Sequence, residues 1–236
     1  MCNNVFFINK KTFHSKRRYM LKQIKTKDGS MTGFSDKYDE YYHSVTGARE
    51  EAVKKYAEPC RIADLARCPG KIVILDFCFG MGYNSAAAID SALEANPNCI
   101  IEITGLENDL DLLEGLQEIN GPFRSYGLIK KAASELSIKE GNVAINLLPG
   151  DAAETVMSLT EFEFDVVFFD PFSPKRQPEL WTEEIFTNIY VRMRDGGILA
   201  TYSCARSVRD ALRGAGFLVK DGPPVGRRGP STLAIK

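Results

Sequence analysis

The chain of 236 residues carries 30 Lys and Arg against 31 Asp and Glu, for a net charge of −1, and 44% of it is hydrophobic. That length accommodates one α/β domain with an extension as readily as two small domains, and the apolar fraction fills a substantial core. No stretch of about 18 apolar residues is present to span a membrane, and six cysteines without a Cys-x-x-Cys pair, beside two histidines, argue against a zinc centre and for reduced thiols.

The start has neither a basic n-region nor a signal-length apolar core, so a cytoplasmic protein is expected. Residues 1 to 27 hold Lys10, Lys11, Lys16, Arg17, Arg18, Lys22, Lys25 and Lys27 and no acid. They read as a basic arm without fixed order, suited to a phosphate-bearing partner and equally to a solubilising tail. Asp28-Gly-Ser30 is a turn signal. Tyr38 to Ser44, followed by Val45-Thr-Gly47, gathers tyrosines, a histidine and hydroxyls ahead of a helix expected from about Ala48 to Tyr56 and ending near Pro59. This aromatic group either walls a ligand pocket or covers a sheet edge, packing being the default. Residues 28 to 70 read as a cap segment on the domain that follows.

From Lys71, apolar strand-like runs alternate with helical segments, the pattern of a doubly wound parallel sheet. Strands are expected near 71–77, 100–106, 142–148, 164–169, 197–203, 216–220 and 231–235, with helices near 83–95, 109–119, 152–159, 179–193 and 206–214. Residues 120 to 140 are broken by Gly121-Pro-Phe and Gly127, with room for one more helix from Ile129 to Leu136.

Ligands of such sheets bind beyond the carboxyl ends of the strands. The first strand opens through Gly80-Met-Gly82 onto a helix, and glycines there let backbone approach a ligand, although Ser85 stands where a third glycine would complete the nucleotide fingerprint. Glu107 ends the second strand, where an acid accepts from ribose hydroxyls or, more simply, favours the helix N-terminus that follows. Asp151 after the third strand can accept from an adenine amine, which favours S-adenosylmethionine over a dinucleotide, and is equally an N-cap. Asp170 ends the fourth, Phe164 to Phe169, where Pro171 and Pro174 stop any ladder; the alternative is an aspartate that caps the next turn. Four acid- or glycine-bearing strand ends in succession point to a cofactor-dependent transferase. A carboxylate at Asp170 would orient an amine and take its proton, and Phe172 would exclude water or lie against a base. Lys175 and Arg176 follow in a basic loop. Arg206, Arg209 and Arg213 share a helix face and, with Arg227-Arg228, are either phosphate contacts or a solvated surface.

The ordered set of motifs resembles the MnmC-like tRNA wobble-uridine methyltransferases in their stand-alone form, over roughly residues 26 to 236. It comprises Asp28-Gly-Ser30, Tyr42-His-Ser44 with Gly47-Ala48 and Glu51-Ala52, Phe79-Gly-Met-Gly82 with Asn84, and Gly150-Asp-Ala152. It continues through Asp170-Pro-Phe-Ser-Pro174 with Pro178-Glu-Leu-Trp181 and Leu199-Ala-Thr-Tyr202 to Val208-Arg209, Leu212 and Ala215-Gly-Phe217. Pro171 and Gln177 depart from the residues most often found in that loop. The resemblance implies a Rossmann-like class I methyltransferase fold, an α/β doubly wound, mostly parallel seven-stranded sheet with an N-terminal extension, residues 71–236 forming the methyltransferase domain. It implies transfer of the S-adenosyl-L-methionine methyl group to 5-aminomethyl(-2-thio)uridine in the anticodon region of tRNA, without metal. Bifunctional relatives carry a flavin oxidase domain after the methyltransferase, and the stand-alone form, without that domain, is the one expected here. Asp170 matches the active-site aspartate; Phe79, Gly80, Gly82, Glu107, Asp151, Ala152, His43 and Gly47 are expected at the cofactor; Phe172, Lys175, Arg176, Arg206 and Arg209 are expected at the substrate. Two other classes fit the residues less well: an aminopropyltransferase acting on polyamines, and an RNA-binding protein on a degenerate scaffold. A dehydrogenase fits least.

Overall fold

The computed structural model describes residues 21–68, 70–159, 163–226 and 228–236. Its first elements form a small antiparallel sheet, β1 (Lys22–Lys25), β2 (Met31–Ser35) and β3 (Glu40–Tyr41). Most of the expected basic arm lies outside the described residues. Its last part does not behave as an arm, because Lys22 to Lys25 pair in register with Phe34 to Met31. Next comes α1 (Ala48–Glu51), which continues without a break into a wider π-type turn, Ala52–Ala57. Gly47 supplies no side chain to start this helix. The start signal comes from upstream: the Ser30 hydroxyl accepts from the backbone N–H of Ala48 and of Arg49, both at 3.2 Å, and Asp28 Oδ2 accepts from that of Glu50 at 2.9 Å. A short α2 (Ile62–Arg67), not expected from the sequence, leads to the main domain.

There β4 (Lys71–Phe77), α3 (Tyr83–Ala95), β5 (Ile100–Glu107), α4 (Leu110–Gly115), α5 (Tyr126–Glu135), β6 (Ser137–Glu140), β7 (Val143–Pro149), α6 (Ala152–Ser158), β8 (Phe164–Phe169), α7 (Glu183–Val191), β9 (Met193–Thr201), α8 (Arg206–Gly214), β10 (Leu218–Asp221) and β11 (Thr232–Ile235) follow in order. They make an eight-stranded sheet, β10-β11-β9-β8-β4-β5-β7-β6. Five inner strands are parallel and β6, β10 and β11 run antiparallel to their neighbours. The eighth strand, β6, corrects the expected seven. Leu136 turns the chain with φ 63, Gly141 closes a hairpin with φ 56, and Ser137 pairs with Asn146. Its burial pattern has a single inward residue, Ile138, too little apolar periodicity for a sequence to show.

Alternation along β4 explains the layers. Ile72 and Ile74 join the core beneath α2, α3 and α5, whereas Val73, Leu75 and Phe77 join the one beneath α6, α7 and α8. With both faces covered, truncating Leu75 to alanine would cost about 2–5 kcal/mol. The chain moves outward from β4 to β5 and β7 on one side and resumes at β8 on the other, so the strand order reverses between β4 and β8. Loops leaving the carboxyl ends of those strands diverge and leave a crevice. Among the described residues no helix is long and apolar enough to cross a membrane.

Candidate active site

The crevice is a cavity of about 1670 Å³. Along its floor the turn after β4 takes left-handed backbone at Cys78 (φ 66), Gly80 (φ 55) and Gly82 (φ 69). The two glycines do different work. At Gly80 an added Cβ would find nothing nearer than Tyr42 at 3.5 Å, and the residue lines the cavity. At Gly82 a Cβ would sit 2.5 Å from Ile129 and 2.7 Å from the Phe79 ring, and the residue does not line it. Gly82 is therefore a packing requirement behind Phe79, which itself faces the cavity. Gly47 likewise lies away from the cavity, its α-carbon against Asp28, whose Oδ2 a Cβ would approach to 2.8 Å.

Glu107, at the end of β5, ties the floor together. Its Oε2 accepts from Gly80 N–H at 2.8 Å, and its Oε1 from Asn108 and Asp109 N–H at 2.9 and 2.8 Å. Burial pushes its pKa up, and the three backbone donors pull it back only in part. A carboxylate offers about four acceptor sites, so one remains for a ligand hydroxyl. Asp151 caps α6 by accepting from Ala153 N–H at 2.8 Å, while it and Ala152 line the cavity. Asp109, which caps α4, also accepts from the Tyr42 hydroxyl at 3.4 Å, bringing that ring over the glycine turn.

Asp170 stands across the crevice, half-buried at the end of β8. Tyr56 donates to its Oδ1 at 2.5 Å and Asn84 Nδ2 to its Oδ2 at 2.9 Å. Burial, then the nearby negative charge of Glu51, pushes its pKa up to about 7 against the pull of those two donors and of Lys55. Glu51 and Lys55 form a buried ion pair at 2.5 Å, and Glu51 also accepts from Ser44 N–H at 2.7 Å. Behind the wall, Asp76 on β4 is fully buried with Ser85 donating to it at 2.6 Å, and burial raises its pKa well above the usual carboxylate range.

The loop after Asp170 is pinned from several directions. Tyr202 donates to Pro171 O at 3.1 Å and Trp181 to Phe172 O at 2.9 Å. From the small sheet, Glu40 accepts from Ser173 N–H at 3.0 Å and Asp39 bridges Arg176 at 2.5 Å. Phe172 lines the cavity, but one face of its ring is stacked on Tyr38 at 4.5 Å, with Tyr42 tilted against it at 5.2 Å. The expected water-excluding ring is thus part of an aromatic lid rather than a free stacking surface. His43 lines the cavity while stacked on Tyr83 at 4.8 Å; its Nδ1 has no partner among the described residues, and burial lowers its pKa to about 4, so it is neutral.

The expected basic residues do not gather here. Lys175, Arg176 and Arg206 are exposed and none lines the cavity. Arg206 and Arg213 share Asp210. Arg209 turns inward, bonding Thr232 at 3.0 Å, Ser231 O at 3.1 Å and Asp221 at 2.7 Å, and so fastens α8 to the hairpin of β10 and β11. Arg227 falls outside the described residues. Conversely, sequence reasoning missed Tyr56, Glu51 and Lys55 as site residues, and placed Asn84 in a motif without a task. Glu51 and Lys55 have the i,i+4 spacing of any exposed helical pair; the small neighbours Ala48, Ala52 and Ala57, all buried, were the signal that this helix packs inward. Among the described residues no cluster of His, Cys, Asp and Glu is arranged to hold a metal ion.

The cavity suits a nucleoside cofactor. Its floor is glycine backbone, an acceptor site is left on Glu107, an acid stands over α6, and buried polar atoms of His43 and Asn84 lack partners. Fold and site together define a Rossmann-type S-adenosyl-L-methionine-dependent methyltransferase. A family model of that description, S-adenosyl-L-methionine-dependent methyltransferase, matches residues 114–236. The crystal structure of MnmC2 from Aquifex aeolicus aligns with a TM-score of 0.82 at 34% identity, covering 91% of this chain and 70% of that one. An uncharacterized protein of Methanocaldococcus jannaschii is 35% identical over 220 residues, 90% of this chain and 59% of its own length. The tRNA 5-methylaminomethyl-2-thiouridine biosynthesis bifunctional protein MnmC of Ralstonia nicotianae is 27% identical over 215 residues, 86% of this chain and 33% of its own. The chain therefore spans 59% and 33% of the length of these curated relatives. It belongs to the MnmC-type family of S-adenosyl-L-methionine-dependent methyltransferases, and S-adenosyl-L-methionine is its cofactor.

Proposed function

We propose that this methyltransferase acts on the amine of 5-aminomethyl(-2-thio)uridine at the tRNA wobble position, giving the 5-methylaminomethyl product. The observation that carries the reading is Asp170: a carboxylate at the reversal of strand order, fixed between Tyr56 and Asn84, with a pKa pushed up to about 7. A base with a pKa near the working pH takes a proton from an ammonium group more readily than an ordinary aspartate does. Similarity to MnmC, a tRNA 5-methylaminomethyl-2-thiouridine biosynthesis protein, supports tRNA as the carrier of that amine. S-adenosyl-L-methionine, when bound, supplies a sulfonium methyl group to the amine's lone pair.

In this reading Gly80, Phe79, Glu107, Asp151, Ala152 and His43 hold the cofactor, Asp170 orients and deprotonates the acceptor, and Phe172 with Tyr38 and Tyr42 keeps water from it. Lys175, Arg176 and Arg206, exposed outside the cavity, are left to meet phosphates at longer range. One feature favours a second acceptor class: Asp109, Asp111 and Glu114 line the same cavity and would suit a free polyamine.

The deciding experiment offers purified protein and S-adenosyl-L-methionine to tRNA bearing 5-aminomethyluridine and, separately, to spermidine, followed by mass spectrometry of nucleosides and amines. Methylaminomethyluridine is expected. Transfer to spermidine with unmodified tRNA would overturn the tRNA reading.

A further inference from the structure

The two side chains holding Asp170 differ in what they can offer. The Tyr56 hydroxyl, on a fully buried ring, donates to Oδ1. Asn84, from the first turn of α3 and 4% exposed, donates through Nδ2 to Oδ2, while its Oδ1 has no partner among the described residues. A primary amide carries both a donor and an acceptor, and half a turn about Cβ–Cγ exchanges them. Such a turn at Asn84 gives up no bond of Oδ1, since it makes none. It would present an acceptor to Asp170 instead of a donor.

We propose that Asn84 is a positioning residue for proton transfer: its amide donates to Asp170 as a carboxylate and, turned over, accepts from Asp170 as an acid. The inference rests on the reading of Asp170 as the base for the acceptor amine. In that step an ammonium, R–NH3+, gives one proton to Oδ2 and is left as R–NH2 with a lone pair. The N–C bond then forms as the methyl carbon leaves sulfur, giving R–NH2+–CH3 and a neutral thioether, and Asp170 returns its proton to solvent. A fixed donor facing Oδ2 would oppose the protonated state; an amide that turns stabilises both states in succession. Among the described residues, Glu51 and Lys55 beside Tyr56, Asp76 on β4 and Cys78 are the other ionisable groups that interact with Asp170, none of them a hydrogen-bond partner of the carboxylate.

The test needs no substrate, so it stands apart from the identity of the acceptor. The full chain, with 15N in its asparagine side chains and 13C in its aspartate carboxyls, is followed by NMR from about pH 5 to 9. The Asn84 amide protons are expected to titrate with the midpoint of Asp170, near 7, and to stop titrating in D170N. Because a turning amide stabilises both states, N84A is expected to move the Asp170 midpoint by well under about one pH unit, and N84S, which keeps a donor and an acceptor, by less still. Circular dichroism and thermal denaturation report whether each variant is folded; should N84A fail there, N84S and the wild-type titration decide. Asn84 amide signals that stay flat while Asp170 titrates would overturn the proposal, as would an Asp170 midpoint raised by about a unit or more in folded N84A, the shift expected of a donor that stays fixed. Failure of tRNA methylation with both titrations as expected would overturn only the substrate reading.

Discussion

The two walls of the crevice are built by different means. The wall of Gly80, Glu107 and Asp151 is held by backbone groups near the strand ends, with Glu107 gripping the turn of Gly80 and the start of the next helix. The wall of Asp170 is held by side chains brought from far along the chain: Tyr56 lies 114 residues away in sequence, Asn84 86, and Glu40 133 residues from its partner Ser173. The first wall is a property of the sheet. The second depends on the N-terminal segment docking on it, so damage to that segment should separate cofactor binding from methyl transfer.

The largest expected separation comes from Asp170 itself. D170A should lower transfer by about 10²–10⁴-fold while calorimetry finds cofactor affinity within a few-fold of wild type. D170N should do the same to transfer and raise stability at pH 8. The sign follows from Asp170 being raised from 3.8 to about 7 on folding: the stability of its neutral form is full below about 4 and lost as pH rises through 7. The neutral amide of D170N escapes that loss, on the order of 4 kcal/mol, and Asn84 can turn its Oδ1 toward the new amide. Thermal denaturation should show the full gain at pH 8 and only about a third of it at pH 5.

Gly82→Ala should break the opposite wall. A methyl group 2.5 Å from Ile129 at a residue with φ 69 costs about 2–3 kcal/mol in strain and overpacking and displaces Phe79, so cofactor affinity should fall first; an unchanged dissociation constant would show that Phe79 is not held as described. Asp28→Ala removes the remote cap of α1 at about 1–2 kcal/mol, and transfer should fall more than cofactor binding. Although burial opposes it, bonds from Ser30, Thr26 and the Glu50 backbone bring Asp28 down to about 2. Its contribution is therefore present above about pH 4 and lost as pH falls through 2, which acid titration of wild type and variant checks. The smallest effect is electrostatic: transfer should rise with pH through about 7 in the wild type, and Glu51→Gln, which removes the like charge, should move that rise to lower pH by a few tenths of a pH unit. A rise unmoved, or moved upward, would remove Glu51 from the account.

Legibility in the sequence follows the same division. Apolar runs ended by an acid or a glycine give away β4, β5, β7 and β8 together with Gly80, Glu107, Asp151 and Asp170, because a buried parallel strand and its exit turn are local signals. Long-range partners carry no such signal. Tyr56 reads as the end of a helix, β6 as a polar stretch, and Arg209 as one member of a surface stripe, when Thr232, Ser231 and Asp221 claim it from another element. Gly82 was legible as a glycine that must stay glycine, but not as one whose reason is Ile129 and Phe79 rather than a ligand.

The cap that Asp28 and Ser30 place on α1 has a kinetic meaning too. A helix whose first turn borrows its acceptors from a strand hairpin cannot open or close independently of it, so residues 22–35 and 48–57 should exchange their amide protons as one unit. Each opening of that unit frees Tyr56 from Asp170 while the sheet stays closed, and the exchange rate of Glu50 N–H would then clock how often the acceptor wall dissolves and reassembles.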